Sequence, residues 1–322
     1  MGGLLGLMLA AAGPAAADAW PSKPIRLVIP FPPGNSADLV ARAMGPLLSQ
    51  RLGQPVVIEN RGGAGGLIGV EAVAKAAPDG YTLAMSSLSP ITILPAIRKK
   101  MSYDPVRHLA PVTLLAKGPA FLLVKKDSPI ASVNQLISYS KANPGKLTYG
   151  SLGPGTISQM TTEAFKAASG ADLTEISYKG STQALTDLVG GQITMMIDGA
   201  ASSAQQINAG TVKALAVTTV KRSPLVPGVA TLDESGMPGL KGFDVFGWIG
   251  LFAPAGTPRD IVTRLQTELT QIAQNPAVVQ QLQTAGLDAA EPNTPAQFSA
   301  FMQKDLARWT QLATDLKITT NE

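Results

Sequence analysis

With 322 residues, of which 45% are hydrophobic, the chain can bury large cores, and its length predicts two domains. Its formal net charge of +4 is small and its Lys and Arg residues are scattered, so we expect no nucleic-acid partner. The absence of cysteine excludes disulfides, thiolate catalysis and cysteine-bound metals.

Residues 1–19 have the composition of a secretory signal peptide. They are rich in Leu, Ala and Gly, and Ala17-Asp18-Ala19 forms an A-x-A cleavage signal. The apolar run at 4–12 is too short to span a bilayer. Because no Lys or Arg precedes Lys23, the basic n-region is missing, so either the true start lies upstream of Met1 or the signal is a poor one. We expect cleavage after about Ala19 and export to the periplasm; a frayed apolar N-terminus is the alternative.

Strands and helices alternate in the first quarter of the chain. An apolar strand at 25–29 precedes a helical pattern that Ser36 caps and Gly53 ends. A strand at 56–59 follows and, after a glycine-rich loop and a short helix, another strand at 81–85. Such alternation is typical of parallel βαβ units, so we expect an α/β fold.

A second series of the same kind follows an irregular stretch at 87–112 and begins with a strand near 121–124. It continues with strands at 147–149, 173–177, 193–197 and 212–218 and with helices at 132–142, 157–168 and 182–189. A connection rich in Pro and Gly then leads to a strand at 246–253 and to helices that continue to about residue 316.

The late helices are expected to return to the first domain, as they do in clamshell binding proteins. We therefore place the crossings between domains near Val124 and near Phe246. The first domain then comprises residues 20–124 plus 247–322, and the second comprises residues 125–246. Each domain is expected to be a mostly parallel sheet flanked by helices, with the ligand at the carboxyl ends of the strands. Two crossings permit closure with little twisting.

Two junctions between a strand and a helix have the composition of anion-binding loops. They lie at 30–38 and 150–156, and neither contains a cationic side chain. A helix start exposes unpaired N–H groups and the positive end of the helix dipole, and glycine lets a ligand approach the backbone. The two loops predict a binding site in which two parts of the protein close around a small carboxylate. Their candidate ligand-binding residues are Phe31, Pro33, Gly34, Asn35, Ser36, Ala37, Ser151, Gly153, Gly155 and Thr156.

Further polar residues follow other predicted strands or begin helices. Asp38 lies in the first turn of a helix, where it either compensates the helix dipole or contacts a ligand. Asp198 ends a strand and could cap a helix, pair with Lys179 or touch the ligand. Lys179 lies at a third anion-capable turn, and Ser86 and Ser87 supply hydroxyl groups at the edge of a sheet. All five are candidate ligand-binding residues.

Catalytic and metal-binding patterns are missing. The single histidine, His108, excludes HExxH and two-histidine metal sites, and the chain has neither a G-x-S-x-G elbow nor a P-loop. We therefore predict no catalytic residues, no metal and no cofactor. An enzyme that acts on carboxylic acids, with Asp38 or Asp198 as its base, is a less favoured alternative.

Short motifs in a fixed order cover the chain from about residue 20 to 318. They include Trp20–Ile25, Pro30–Gly34, Val57–Arg61, Pro78–Tyr81, Tyr103–Pro105, Pro144–Leu147, Tyr149–Ser151, Tyr178–Gly180, Asp187–Gln192, Met195–Asp198, Lys213–Val217, Lys221–Ser223 and Ala253–Pro258. In these motifs the chain resembles the Bug/TctC family, the periplasmic solute-binding receptors of tripartite tricarboxylate transporters.

The resemblance implies a two-domain type II periplasmic-binding clamshell, monomeric and without enzymatic activity, that captures a small carboxylate and delivers it to membrane permease subunits. In that family, backbone amides of loops that match 33–37 and 151–156 hold one carboxylate, helped by ordered waters, and Asp38 and Asp198 match acidic positions. Asn35 replaces a usual Gly, which leaves the ligand open: a monocarboxylate or an amphoteric acid is as plausible as a tricarboxylate. A ligand sensor for a signalling partner is the alternative to transport. Replacing Asp38 by Ala or Gly155 by Val is expected to weaken binding.

Overall fold

A computed structural model describes residues 20–320, so the predicted signal peptide lies outside the described residues. The first elements are β1 (Ile25–Ile29), α1 (Ser36–Leu52), β2 (Val56–Asn60), α2 (Leu67–Ala74), β3 (Thr82–Ser87), α3 (Leu94–Ile97), α4 (Pro105–His108) and β4 (Leu109–Gly118). The middle elements are β5 (Ala120–Lys125), α5 (Val133–Ala142), β6 (Thr148–Ser151), α6 (Ile157–Ser169), β7 (Thr174–Ser177), α7 (Ser181–Gly190), β8 (Met195–Gly199), α8 (Ala200–Asn208) and β9 (Val212–Val217). The last are β10 (Gly247–Pro254), α9 (Arg259–Ala273), α10 (Pro276–Thr284), β11 (Asp288–Ala289) and α11 (Pro295–Asp315).

The first sheet has the strand order β11-β4-β10-β3-β1-β2. β1 pairs in parallel with β2 and β3, whereas β10 runs antiparallel to β3 and β4. Successive side chains of a strand point to opposite faces. Leu27 accordingly packs in a core with α1, α9 and α10, and Val28 packs in a separate core with α2, α3 and α11. Helices therefore cover both faces of this sheet.

The second sheet has the order β7-β6-β8-β5-β9 and is also covered on both faces. β6 pairs in parallel with β7 and β8, and β5 runs antiparallel to β8 and β9. Leu122 faces the core formed with α5 and α6, and Phe121 faces the core formed with α7 and α8. Both sheets thus contain parallel and antiparallel strands. In each sheet, the parallel βαβ units predicted from the sequence lie at one side. The antiparallel strands lie nearer to the points where the chain crosses between the domains.

The crossing predicted near Val124 lies five residues earlier in the structure. Ala120 already pairs with Gly199, so β5 belongs to the second sheet, and the chain crosses at Pro119. The strand at 121–124 is apolar on both faces and fits either sheet, so its sequence does not decide which sheet it joins. The return crossing precedes β10, which begins at Gly247.

The stretch at 87–112, which the sequence predicts to be irregular, contains several elements that were not predicted. It contains a π-helical turn at Ser89–Ile93, the short helices α3 and α4, and the start of β4. Pro111 interrupts the strand pattern of β4, but it lies opposite Phe252 next to a register shift, a position where a strand tolerates proline. The structure therefore replaces the predicted irregular stretch with short helical segments and the first residues of a sheet strand.

Candidate functional site

A cavity of about 260 Å³ lies between the two sheets, where the two domains meet. Its lining comes from the carboxyl ends of β1, β3 and β8, from the loop after β6, and from the crossing segments near Pro119 and Gly247. Carboxyl ends of strands are where open α/β sheets bind ligands. The position of the cavity therefore agrees with a ligand-binding cleft.

The cavity lining is free of ionisable side chains within residues 20–320. Its polar side chains are Asn35, Ser36, Ser87, Ser89 and Thr156. The remaining lining residues are glycines or have apolar side chains: Phe31, Leu88, Gly118, Pro119, Ala120, Leu152, Ile157, Gly199, Ala200, Ala201, Gly247, Trp248, Ile249, Gly286 and Leu287. An anion in this cavity would therefore be bound by N–H and hydroxyl groups and not by a cationic side chain.

Helices α1, α6 and α8 all begin in the lining of this cavity in the part of the chain that the structure describes. The first turn of a helix carries N–H groups without intrahelical partners and the positive end of the helix dipole. α1 belongs to the first domain and α6 and α8 belong to the second. An anion in the cavity therefore lies near helix N-termini from both domains.

The loop before α1 is shaped by Asn35 and Asp38. Asn35, rather than the predicted Ser36, is the N-cap, and its Oδ1 accepts a hydrogen bond from the Ala37 N–H at 2.9 Å. Gly34 has φ +85°, and its N–H donates to Asp38 Oδ2 at 2.8 Å. Asn35 and Ser36 thus reach the cavity, while Asp38 holds the loop from behind.

The carboxylate of Asp38 is fully engaged within the first domain. Its Oδ2 also accepts from Arg42 Nε at 2.8 Å, and its Oδ1 accepts from Asn60 Nδ2 at 2.9 Å. Burial opposes ionisation of this group, but the bonds from Arg42, Gly34 and Asn60 outweigh burial and lower its pKa. Asp38 lies outside the cavity lining, so its position fits the loop-bracing role rather than ligand contact.

The opposite loop, before α6, is held in a similar way. Thr156 caps the helix, accepting from the Gln159 N–H at 3.4 Å and donating to the Gly153 carbonyl at 2.7 Å. The Gly155 N–H donates to Gln159 Oε1 at 2.9 Å. Ser151, buried behind the loop, accepts from the Gly153 N–H at 3.1 Å. Thr156 therefore lines the cavity, and the other polar groups of this loop fix its shape.

Asp198 connects the starts of two helices. It is 3% exposed, and its carboxyl oxygens accept hydrogen bonds from Ser181 Oγ of α7 at 2.9 Å and from Ser202 Oγ of α8. Burial raises its pKa, against the lowering effect of these bonds and of the Gly199 N–H. Lys179 is exposed and is not among the partners of Asp198. Asp198 lies one residue before the cavity-lining Gly199, outside the lining itself.

The cavity lining includes some of the ligand-binding residues predicted from the sequence: Phe31, Asn35, Ser36, Ser87 and Thr156. The others brace the loops or lie outside the lining: Pro33, Gly34, Ala37, Asp38, Ser86, Ser151, Gly153, Gly155, Lys179 and Asp198. The start of α8 was not predicted as a ligand-binding element, although its N-cap, Gly199, is of a residue type that helix N-caps accept. Sequence reasoning also missed the crossing segments, which carry no local signal of ligand binding.

The two domains touch on both sides of the cavity. Ser89 Oγ of the first domain donates to the Gly155 carbonyl of the second at 2.9 Å, and Met160 of α6 is buried in the core of the first domain. On the other side, a Cβ added to Gly286 would lie 2.3 Å from the Ala201 nitrogen. These contacts enclose the cavity between the domains.

Comparison with known proteins identifies the family. Residues 40–318 match the family described as "Tripartite tricarboxylate transporter family receptor". The chain belongs to this family. Periplasmic binding protein BugD is 33% identical in sequence, with a TM-score of 0.77 over 93% of this chain and 99% of BugD. The α/β clamshell expected from the sequence is thereby confirmed.

Two further structures of this family contain ligands. Rpa4515 of R. palustris with adipate is 34% identical, with a TM-score of 0.80 over 93% of this chain and 99% of Rpa4515. MatC (Rpa3494) from Rhodopseudomonas palustris with bound malate is 32% identical, with a TM-score of 0.77 over 91% of this chain and 99% of MatC. Small carboxylates are thus ligands of proteins similar to this receptor.

None of the helices within residues 20–320 has the length and apolar character needed to cross a bilayer. The same residues contain no cluster of three His, Asp or Glu side chains suited to a metal ion.

Proposed function

We propose that this protein is a periplasmic solute-binding receptor that captures a small carboxylate and delivers it to the permease of a tripartite tricarboxylate-type transporter. The observation that carries the proposal is the cavity between the domains, with its uncharged lining and the starts of α1, α6 and α8. Helix N-termini bind carboxylates through backbone N–H groups. A receptor for small acids is the function that this geometry supports best.

Binding and closure are coupled in this proposal. The starts of α1 and α6 lie in different domains, so a carboxylate engages both only when the domains are together. Contacts made in one state alone shift the equilibrium toward that state. The ligand therefore favours the closed form, and the permease distinguishes the loaded receptor by its closed surface.

The partners of the two buried aspartates favour binding over catalysis. A general base has to reach the substrate, by direct contact or through one water. Asp38 is engaged by Gly34, Arg42 and Asn60, and both Asp38 and Asp198 lie outside the cavity lining. The ligand-bound relatives also support a receptor, since adipate and malate are small carboxylates. Export, cleavage after about Ala19 and a monomeric state complete the proposal.

Thermal unfolding with and without candidate acids tests this function. The protein from residue 20 onward is unfolded, dialysed and refolded to remove any copurified ligand, then heated with acids and their matched amides. A ligand at one hundred times its Kd adds about 2.7 kcal/mol of stability, which raises the Tm by about 5–10 °C at this size. We expect a rise with an acid and none with its amide. Equal rises with both would contradict carboxylate capture.

A further inference from the structure

The connection between the two domains is very short. The first crossing runs from Gly118, the last residue of β4, to Ala120, the first residue of β5, so Pro119 alone lies between the two sheets. The second crossing passes through Phe246 to Gly247, the first residue of β10, which pairs with Gly118. The two crossings therefore leave the first sheet side by side.

A single residue of the second domain holds both crossings at their other end. Thr218, directly after β9, donates its N–H to the Ala120 carbonyl at 2.9 Å, and its carbonyl accepts from the Val245 N–H at 3.0 Å. Its Oγ1 donates to the Val245 carbonyl at 2.6 Å and accepts from the Ala120 N–H at 3.3 Å. Four hydrogen bonds from one buried residue thus join the two crossings.

We propose that Thr218 is a positioning residue for domain closure. Its hydroxyl group clamps the two crossings together, so the domains rotate about Pro119 and Phe246 and follow a narrow path. This inference rests on the proposed function, because closure around the ligand is the movement that the clamp guides. Thr218 itself lies outside the cavity lining, so it acts on the site through the crossings.

The hydroxyl group does what the backbone of Thr218 cannot do alone. In a regular antiparallel pair, the Ala120 N–H would bond to the Thr218 carbonyl. That carbonyl bonds to Val245 instead, and Oγ1 takes its place as the acceptor for Ala120. The N–H and the carbonyl of Thr218 each reach one crossing, whereas Oγ1 reaches both. The side chain therefore fixes the separation between the crossings.

The residues at the two pivots restrict the movement further. The ring of Pro119 fixes its φ, which removes one torsion from the first crossing. The Pro119 carbonyl also accepts from the Ala200 N–H at 2.9 Å, at the start of α8. At the second crossing, the Phe246 ring stacks on Phe301 of α11, with 6.0 Å between the ring centroids. Hinges consist of a few such residues at the ends of elements.

Distances between the domains test this inference without a ligand. Because the sequence has no cysteine, Lys146→Cys and Gln280→Cys place one spin label at an exposed position of each domain. Pulsed EPR on the refolded, ligand-free protein measures the distribution of distances between the two labels. The width of this distribution reports the range of relative orientations that the domains adopt.

Thr218→Val in this labelled protein keeps the shape of the side chain and removes the hydroxyl group. We expect the distribution to become about one and a half times as wide, because the crossings are no longer held together. Thr218→Ser keeps the hydroxyl group and should leave the width unchanged. Thr162→Val is the matched control, since Thr162 is also buried and its Oγ1 donates to the Ser158 carbonyl within α6 at 2.9 Å.

An unchanged width in Thr218→Val, or equal broadening in Thr162→Val, overturns the inference. Neither result concerns the capture of a carboxylate, which the melting experiment tests separately. The width also distinguishes a positioning role from a purely structural one, because loss of stability alone does not change the orientations of folded domains.

Hydrogen exchange on the wild-type protein provides a test that needs no variant. If the clamp stays closed while the domains move, the amides of Ala120 and Val245 remain bonded to Thr218. We expect their protection factors, measured by NMR, to lie within about tenfold of that of Leu122 in the core of β5. Protection lower than this would show that the clamp opens in the folded protein, and so would overturn the inference.

Discussion

At the scale of single residues, the buried acids of this receptor have different roles that their environments set. Asp38 has a cationic partner in Arg42, and its pKa is lowered. Asp198 has only hydroxyl and N–H partners, and burial raises its pKa. Asp305 is 4% exposed and accepts from both Trp248 and Trp309. Each carboxyl group thus fixes the position of cavity-forming elements without lining the cavity.

The raised pKa of Asp198 predicts a pH dependence of stability. Below the ordinary aspartate pKa, the Asp198 carboxyl group is protonated in both the folded and the unfolded state, so it does not change the stability. As the pH rises above that value, the unfolded state ionises first, so the folded state loses stability until its own raised pKa is passed. Asp198→Asn removes this loss. We expect the Tm of the wild type minus the Tm of the variant to fall as the pH rises from about 4.

Melting curves of both proteins across this pH range provide the measurement. Asp38 and Glu234, whose pKa values are lowered, have the opposite pH dependence, but they are present in both proteins and cancel in the difference. A difference in Tm that stays constant with pH would show that the carboxyl group of Asp198 is not destabilised by burial.

At the scale of elements, the start of α6 acts as a contact between the domains as well as a binding loop. Gly155 has φ +73°, and a Cβ there would lie 2.7 Å from Leu94 Cδ2 and 3.0 Å from Ile97 Cδ1, both in α3 of the first domain. Both side chains are buried, so they have little room to move. A larger residue at Gly155 would therefore push the two domains apart, which gives the weaker binding expected of Gly155→Val a structural cause.

Gly155→Ala is therefore expected to weaken ligand binding about three- to tenfold by disfavouring closure. Gly153→Ala is the matched control, because Gly153 also has a positive φ, +96°, but a Cβ there meets nothing within 4 Å. The two variants share the strain of a non-glycine residue at positive φ and differ in the contact with α3. Calorimetric titration of both variants measures the difference. Equal affinities would assign the effect to loop strain alone.

At the scale of the whole molecule, closure of the two domains depends on a close approach between the backbone at Gly286 and the backbone at the start of α8. Gly286, between α10 and β11, would place a Cβ 2.3 Å from the Ala201 nitrogen and 2.6 Å from the Ala200 carbonyl carbon. Backbone atoms cannot move aside as side-chain ends can. Only glycine therefore lets the first domain reach the start of α8 in this arrangement.

Gly286→Ala is expected to shift the receptor toward an open form and to weaken binding tenfold or more. Small-angle X-ray scattering with saturating ligand should give a larger radius of gyration than for the wild type. Gly236→Ala is the control, since Gly236 has the same φ of +72° but open space around its Cβ position. An unchanged radius and affinity in Gly286→Ala would show that the domains close without this contact.

The sequence by itself determined the family, the α/β clamshell class and the loops at the starts of α1 and α6. These follow from local patterns: apolar strands, glycine-rich turns and helix caps within a few residues of one another. Residues in the predicted loops therefore reached the cavity, Asn35 and Thr156 among them.

Only the tertiary structure decided which sheet β5 joins and which residues complete the cavity. Ser89, Trp248 and Gly286 are far apart in the chain and line one cavity because the order of the strands brings their segments together. It also decided that Asp38 and Asp198 bond to the protein itself. The physical reason is that the local sequence fixes whether a segment forms a helix, a strand or a turn. Distant segments decide which strands pair and which side chains are buried, and therefore which groups each residue contacts.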